Sequence, residues 1–270
     1  MSAFDLLGAW PAPPPAAGVV GPRQTAAGPA DEVRPWASVT KPVFAYAVLR
    51  LAEAGHVDLD EPCGPPGATV RHLLAHASGL GPDTREPLCA PETRRIYSNA
   101  GYEVLGEFLA ERTGQDVENI IADLVLSPLG MTRTRLIGSP AHGLRGPLTD
   151  LLRFAAELLE PRLVAVETLR SARSVAFPGL SGVLPGFGRQ EPNDWGLGFE
   201  IRDAKTPHWT APANSPETFG HFGRSGSFFW IDPVARIGCA VLAGTEFGPW
   251  AVEAWPRFSA AVLDEFGSHS

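Results

Sequence analysis

Trp36-Ala37-Ser38-Val39-Thr40-Lys41-Pro42-Val43-Phe44 opens a long helical pattern and decides how the rest of the chain is read. From Lys41 onward Val43, Phe44, Ala47, Val48, Leu51 and Ala52 recur at 3.6-residue spacing, which predicts a helix with one buried face. Gly55 stands where a left-handed C-cap would end it. Ser38 and Lys41 lie three residues apart at its start, so a hydroxyl and an amine share one face within hydrogen-bonding reach. Serine is a poor nucleophile until a neighbour takes its proton, and a lysine whose pKa is lowered by burial can do so. Unpaired N–H groups at a helix start favour negative charge developing nearby. The plain structural reading makes Ser38 an N-cap and Lys41 a solvated cation.

Composition sharpens that choice. Among 22 basic residues only Lys41 and Lys205 are lysines, and arginine supplies charge but cannot give up its proton. The 30 acidic residues leave a net charge of −8, which argues against a phosphate-binding face and so against a nucleic-acid partner. No apolar run approaches the ~18 residues of a spanning helix, so no membrane partner is expected. The start, Met1-Ser2-Ala3-Phe4-Asp5, lacks the basic and apolar run of an export signal, which points to the cytoplasm. Cys63, Cys89 and Cys239 match neither a disulfide framework nor a zinc pattern. With 44% apolar residues the chain can bury a substantial core, and nothing in it sets an oligomeric state.

Short strands are expected at Val19-Val20 and between Glu32 and Trp36. Further helices are expected over 70–75, 99–112 with Gly114 beyond, 117–126, 150–159 with Thr149 as N-cap, and 163–172. Ser174 to Asp194 is rich in Gly and Pro and reads as a long loop, a frequent form of lid or binding loop. Strand-like runs follow at 196–202, 218–222, 227–231 and 236–243, the last two forming a hairpin around Asp232-Pro233. A final helix covers about 250–265. The order predicts an α/β (α+β) fold: an antiparallel sheet flanked by helices, with an inserted, mostly helical lobe. Residues 1–40 with 195–270 form the sheet-and-helix lobe, residues 41–194 the helical one, and the active site lies between them.

Two more clusters carry chemistry. Tyr97-Ser98-Asn99 opens a helix; a phenol near a lysine can relay a proton, and Asn99 offers a donor and an acceptor. His221-Phe222-Gly223-Arg224 ends a strand, where a glycine allows close approach and a following N–H can serve an oxyanion. Each alone has an ordinary capping or turn reading. Together, in this order, they resemble the serine hydrolases of the beta-lactamase and penicillin-binding-protein superfamily. The likeness is to the class C-like branch of family VIII esterases and D-aminopeptidases, with its S-x-x-K, Y-x-N and Lys-Thr-Gly or His-x-Gly motifs. The flanking stretches agree: Arg71-His72-Leu73-Leu74-Ala75-His76-Ala77-Ser78-Gly79-Leu80, Ser127-Pro128-Leu129-Gly130-Met131 and Trp230-Ile231-Asp232-Pro233.

The resemblance implies the fold already expected and a set of roles. Ser38 is then the acyl-accepting nucleophile, Lys41 its proton acceptor and Tyr97 the acid/base relay. Asn99 orients the substrate, and the N–H groups of Ser38 and Arg224 form the oxyanion hole. His221 and Gly223 join the substrate-binding set, with His221 where lactam-recognising members place a lysine. A neutral imidazole lacks that fixed charge, so the expected substrate is a small ester or amide. Acyl transfer, lactam or D-peptide hydrolysis and a non-catalytic sensor stay open. No metal or organic cofactor is implied: His72 and His76 are four apart, but Leu73 occupies the place of a zinc protease's glutamate. Trp195 and Trp209 border the loop region as candidates to line a substrate cleft.

Overall fold

The computed structural model describes residues 2–268. Its strands are β1 (Ala16–Val20), β2 (Thr25–Ala27), β3 (Arg34–Pro35), β4 (Arg135–Leu136), β5 (Leu144–Gly146), β6 (Gly182–Leu184), β7 (Gly188–Gln190), β8 (Glu200–Ile201), β9 (Phe219–Phe222), β10 (Ser227–Asp232) and β11 (Ile237–Leu242). Six of them form an antiparallel sheet in the order β2-β1-β11-β10-β9-β8, and β10 and β11 are the expected hairpin. Trp230 at its centre faces Cys239 on one side and Gly220 on the other. Both strands are buried at every position, which is why they read as unbroken apolar runs instead of alternating ones.

Helices cover both faces. They are α1 (Thr40–Glu53), α2 (Val70–Leu74), α3 (Asn99–Thr113), α4 (Val117–Ile121), α5 (Leu148–Leu159), α6 (Val166–Ala172) and α7 (Pro249–Phe266). Phe229, Ile231, Ala240 and Leu242 meet α1 and α5 in one core. Phe228, Trp230, Cys239 and Val241 meet Trp255, Phe258 and Val262 of α7 in a second. Each fully buried large side chain among them contributes about 2 kcal/mol. The two cores make a three-layer arrangement, the mixed antiparallel architecture expected from element order. Among the described residues no helix is long and apolar enough to cross a membrane.

Several boundaries differ from expectation for local reasons. Helix α1 is buried on all sides from Thr40 to Leu49, because sheet and helical lobe both close on it. Helix α5 packs on β1 and β11, so it belongs to the sheet layer and not to a separate lobe spanning 41–194. It starts at Leu148 after Pro147, while the Thr149 hydroxyl donates to Asp31 at 3.2 Å instead of capping. The helix expected from Leu163 begins only at Val166, because the N–H groups of Arg162 and Leu163 are drawn to Glu157. Residues 174–194 hold the β6–β7 hairpin and are not a bare loop. Of the run 196–202 only Glu200 and Ile201 join the sheet, since Gly198 turns the chain at φ 92° and Leu197 donates to Ala172.

Glu157 is a fully buried carboxylate on α5. One of its oxygens accepts from the Tyr46 hydroxyl of α1 and from the N–H groups of Arg162 and Leu163, each at 2.7 Å. Glu157→Leu leaves those donors unpaired and is expected to lower unfolding stability by about 3 kcal/mol. Urea denaturation checks this as a lower midpoint at constant slope; an unmoved midpoint contradicts it.

Candidate active site

The stretch that opens α1 is held from two sides. Trp36 donates its backbone N–H to Leu144 at 2.9 Å and its indole N–H to Gly146 at 3.0 Å, both on β5. Its carbonyl accepts from the Ser227 hydroxyl of β10 at 2.5 Å. Thr40 completes the tie, donating to the Ala37 carbonyl and accepting the Leu144 N–H at 2.9 Å. Between these anchors Ala37 takes φ 47°, a left-handed conformation that an alanine adopts only when its surroundings demand it. A 3-10 turn over Ala37–Val39 then feeds α1, and no side chain caps that helix. The Ser38 hydroxyl is therefore not an N-cap.

Lys41 is fully buried, not a solvated cation. Its Nζ lies 2.6 Å from Asn99 Oδ1, 2.9 Å from the Ala141 carbonyl and 3.5 Å from Ser38 Oγ. Burial holds its pKa well below the ordinary lysine value, against the opposing pull of Asp83 and Glu103. An uncharged amine has two hydrogens and one lone pair. Asn99 and Ala141 take the hydrogens, which leaves the lone pair for the third neighbour, the Ser38 hydroxyl. The amide is oriented for this, because Asn99 Nδ2 donates to Asp83 at 2.8 Å.

Tyr97 completes the group. Its ring centroid is 4.6 Å from Lys41 Nζ, and burial raises its pKa above the usual phenol value, against the lowering influence of the neighbouring Ser38 hydroxyl. Ser98, next to it, caps α3 by accepting the Gly101 N–H at 2.9 Å. Ser38, Lys41, Tyr97 and Asn99 thus converge from two helix starts.

The third motif divides. His221 is 3% exposed; its ring packs against Tyr97 and Trp195, both half-buried or buried, and not on open solvent as a substrate contact would. Burial and nearby Lys41 push its pKa down to about 3, so the ring is neutral at any ordinary pH. Gly223 is required by the protein itself: a Cβ there would stand 2.6 Å from the Trp36 carbonyl and 2.7 Å from Ser227 Oγ. The close approach expected of a substrate is made by the segment carrying Ser38. The Arg224 side chain is exposed, 3.7 Å from Glu246. Among the described residues the backbone N–H groups of Ser38 and Arg224 have no acceptor.

The family model for beta-lactamase matches residues 16–263. The chain belongs to the beta-lactamase family. A beta-lactamase from Mycobacterium bovis, solved by crystallography, is 48% identical, covers 99% of this chain and 100% of its own, and superimposes with a TM-score of 0.97. Esterase EstB of Burkholderia gladioli is 30% identical over 160 residues, 42% of this chain and 41% of that protein. The D-alanyl-D-alanine-carboxypeptidase/endopeptidase AmpH of Escherichia coli is 26% identical over 156 residues, 42% of this chain and 40% of its own length. The alignment therefore spans about two fifths of these curated relatives. This is a family of hydrolases, with esterases and peptidases among its named members.

Sequence reasoning missed the residues that hold this beta-lactamase-family site together. The buried Arg95 donates to four carbonyls: Ala75 at 2.5 Å, Asn193 and Ala176 at 2.8 Å, and Phe177 at 3.1 Å. Its pKa is lowered by burial to about 10, and it anchors the segment read as a long loop. Lys205, the other lysine, is buried against Glu200 and the carbonyls of Asp194 and Ile201. The Glu200 carboxylate also receives His208 and the Trp209 indole, each at 2.9 Å. Burial alone would raise the Glu200 pKa, but His208 and Lys205 outweigh it and hold it at about 2. Trp209 is thereby core, not cleft. His72 bonds Thr69 and Glu92, a local structural use. Only the lysine scarcity hinted at any of this.

Arg95→Met keeps the stem but removes all four bonds. Backbone amides of residues 176–193 are expected to exchange hydrogen at least tenfold faster in native conditions. Unchanged protection of that segment contradicts the anchoring role.

Proposed function

We propose that the chain is a serine acyl hydrolase that cleaves an ester or amide of a small acyl group through an acyl-enzyme on Ser38. The observation that carries this is a fully buried lysine whose Nζ stands 2.6 Å from Asn99 Oδ1, 2.9 Å from the Ala141 carbonyl and 3.5 Å from Ser38 Oγ, so that its uncharged form gives two hydrogens to the nearer pair and keeps its lone pair for the serine. The opposed pKa directions divide the labour: Lys41, lowered, is the resting base, and Tyr97, raised, stays a proton-bearing phenol. Lys41 takes the Ser38 proton as Oγ bonds to the substrate carbonyl carbon. The N–H groups of Ser38 and Arg224 receive the oxyanion. Tyr97 passes a proton to the leaving group as its bond to carbon breaks, and Lys41 restores that proton. Water then attacks the acyl ester, its proton returns through the same pair, and Ser38 leaves with its hydrogen.

A cleft of about 370 Å³ beside Tyr97 has Pro82, Leu88, Ile96, Val183 and Pro185 on its wall together with Arg94 and Arg189, which gives room for a small acyl group beside exposed cations. The neutral His221 supplies no fixed charge for a substrate carboxylate, which favours simple esters. Lactam hydrolysis is the second reading, favoured by the description of the Mycobacterium bovis relative as a beta-lactamase.

A fluorophosphonate probe is expected to label Ser38 and to spare Ser38→Ala; no adduct sinks the catalytic reading in favour of a binding protein. Short-chain p-nitrophenyl esters are expected to turn over faster than nitrocefin, and the reverse order establishes the lactam reading.

The base needs its lone pair, so kcat/KM is expected to fall as pH drops through the depressed pKa of Lys41, far below the ordinary lysine range. Lys41→Arg, charged at all these pH values, is expected to lose about 10³-fold in kcat. Near-native turnover in that variant removes Lys41 as the base.

A further inference from the structure

Three ring nitrogens around Tyr97 lack any hydrogen-bonding partner in the chain: His76 Nε2, Trp195 Nε1 and His221 Nε2. These residues are only 1%, 2% and 3% exposed. The rings are neighbours. His76 lies 4.6 Å from Tyr97 and 4.7 Å from Trp195, while Trp195 lies 5.4 Å from His221 and both stand 5.8 Å from Tyr97. An unpaired buried polar atom costs about 1–3 kcal/mol, and three in one contact group is a concentration that calls for a shared partner.

The chemistry of each nitrogen follows from its ring partner. His76 Nδ1 accepts the Ser98 N–H at 3.1 Å, so its hydrogen sits on Nε2. His221 Nδ1 is 2.7 Å from the Phe222 carbonyl, which can only accept, so its hydrogen sits on Nδ1 and Nε2 is a bare lone pair. Trp195 Nε1 can only donate. The set is two donors and one acceptor, which a single water satisfies with one hydrogen to spare. We propose that His76, Trp195 and His221 enclose a resident water beside Tyr97, which accepts from the first two and donates to the third.

This water does more than fill space. Both its lone pairs are engaged, so a protonated His221 would find no acceptor at Nε2, and the ring is held as the neutral Nδ1–H tautomer. The ionisable groups facing it are Lys41 from α1, Tyr97 ahead of α3, His76 after α2 and Glu200 from β8. Keeping His221 neutral leaves no positive charge beside Lys41 when that amine takes up the Ser38 proton. His76 and Trp195 are in that sense positioning residues that act on Lys41 through His221, a consequence that rests on the base role proposed above. The water site itself does not.

A high-resolution crystal structure of the whole chain is the direct test. One oxygen within hydrogen-bonding distance of all three nitrogens is expected; empty density, or nitrogens paired with protein atoms, overturns the site. Nitrogen-15 NMR is expected to find hydrogen on Nε2 of His76 and on Nδ1 of His221, and either opposite tautomer also overturns it. Trp195→Phe keeps the aromatic packing and frees one lone pair of the water for protonated His221. The His221 titration midpoint is then expected to rise by about one pH unit, the worth of one hydrogen bond to a charged ring; an unmoved midpoint overturns the tautomer lock. If that variant does not fold, the density and tautomers of the unaltered chain decide. Ser38→Ala, which abolishes acyl transfer, is expected to keep the water and both tautomers, separating this inference from the catalytic reading.

Discussion

Burying one amine is the demand that shapes this molecule. A lysine taken out of water must either find an anion or give up its proton, and Lys41 is surrounded by neutral oxygens. Those oxygens come from places far apart in the chain: Ser38 at the start of α1, Asn99 at the start of α3, and the Ala141 carbonyl ahead of β5. Two helix starts and a turn must therefore meet at one point. The ties of Trp36 and Thr40 to β5 and β10, and the contorted backbone at Ala37, follow from holding them there.

Other buried polar groups extend the same logic outward. Arg95 spends a whole guanidinium on backbone carbonyls and so fixes the β6–β7 segment to the stretch bearing His76. Glu200 gathers Lys205, His208 and the Trp209 indole, tying the turn after β8 to the residue preceding Trp195. Glu157 joins α5 to α1 through Tyr46. Each gathers several hydrogen bonds in a low-polarity interior, where unpaired donors would be expensive. Together they leave Tyr97 between rings that carry no charge, which suits a phenol meant to hold its proton.

Much of the fold was legible beforehand, for identifiable reasons. The β10–β11 hairpin was marked by two apolar runs around Asp232-Pro233, and α3 by Ser98 before it and Gly114 after it, which caps at φ 68° as anticipated. What was misread involved long-range competition. The Leu163 N–H left its helix for Glu157, and the Thr149 hydroxyl left its cap for Asp31. The stretch 174–194 looked loop-like because Gly and Pro dominate it, yet a distant arginine and a two-strand pairing order it.

The chain's residues, read in order, settle the kinds of groups available and their local spacing: a hydroxyl three positions from a scarce lysine, a phenol two from an amide, a glycine after a strand. Spacing within one helix turn is a local property, so it survives without knowledge of the fold. Only the tertiary structure decides that Lys41 is dry, that the Ala141 carbonyl occupies one of its hydrogens, and that His221 turns toward Tyr97 and Trp195. Burial and a carbonyl's direction belong to the packing of distant segments, and no single residue type announces them.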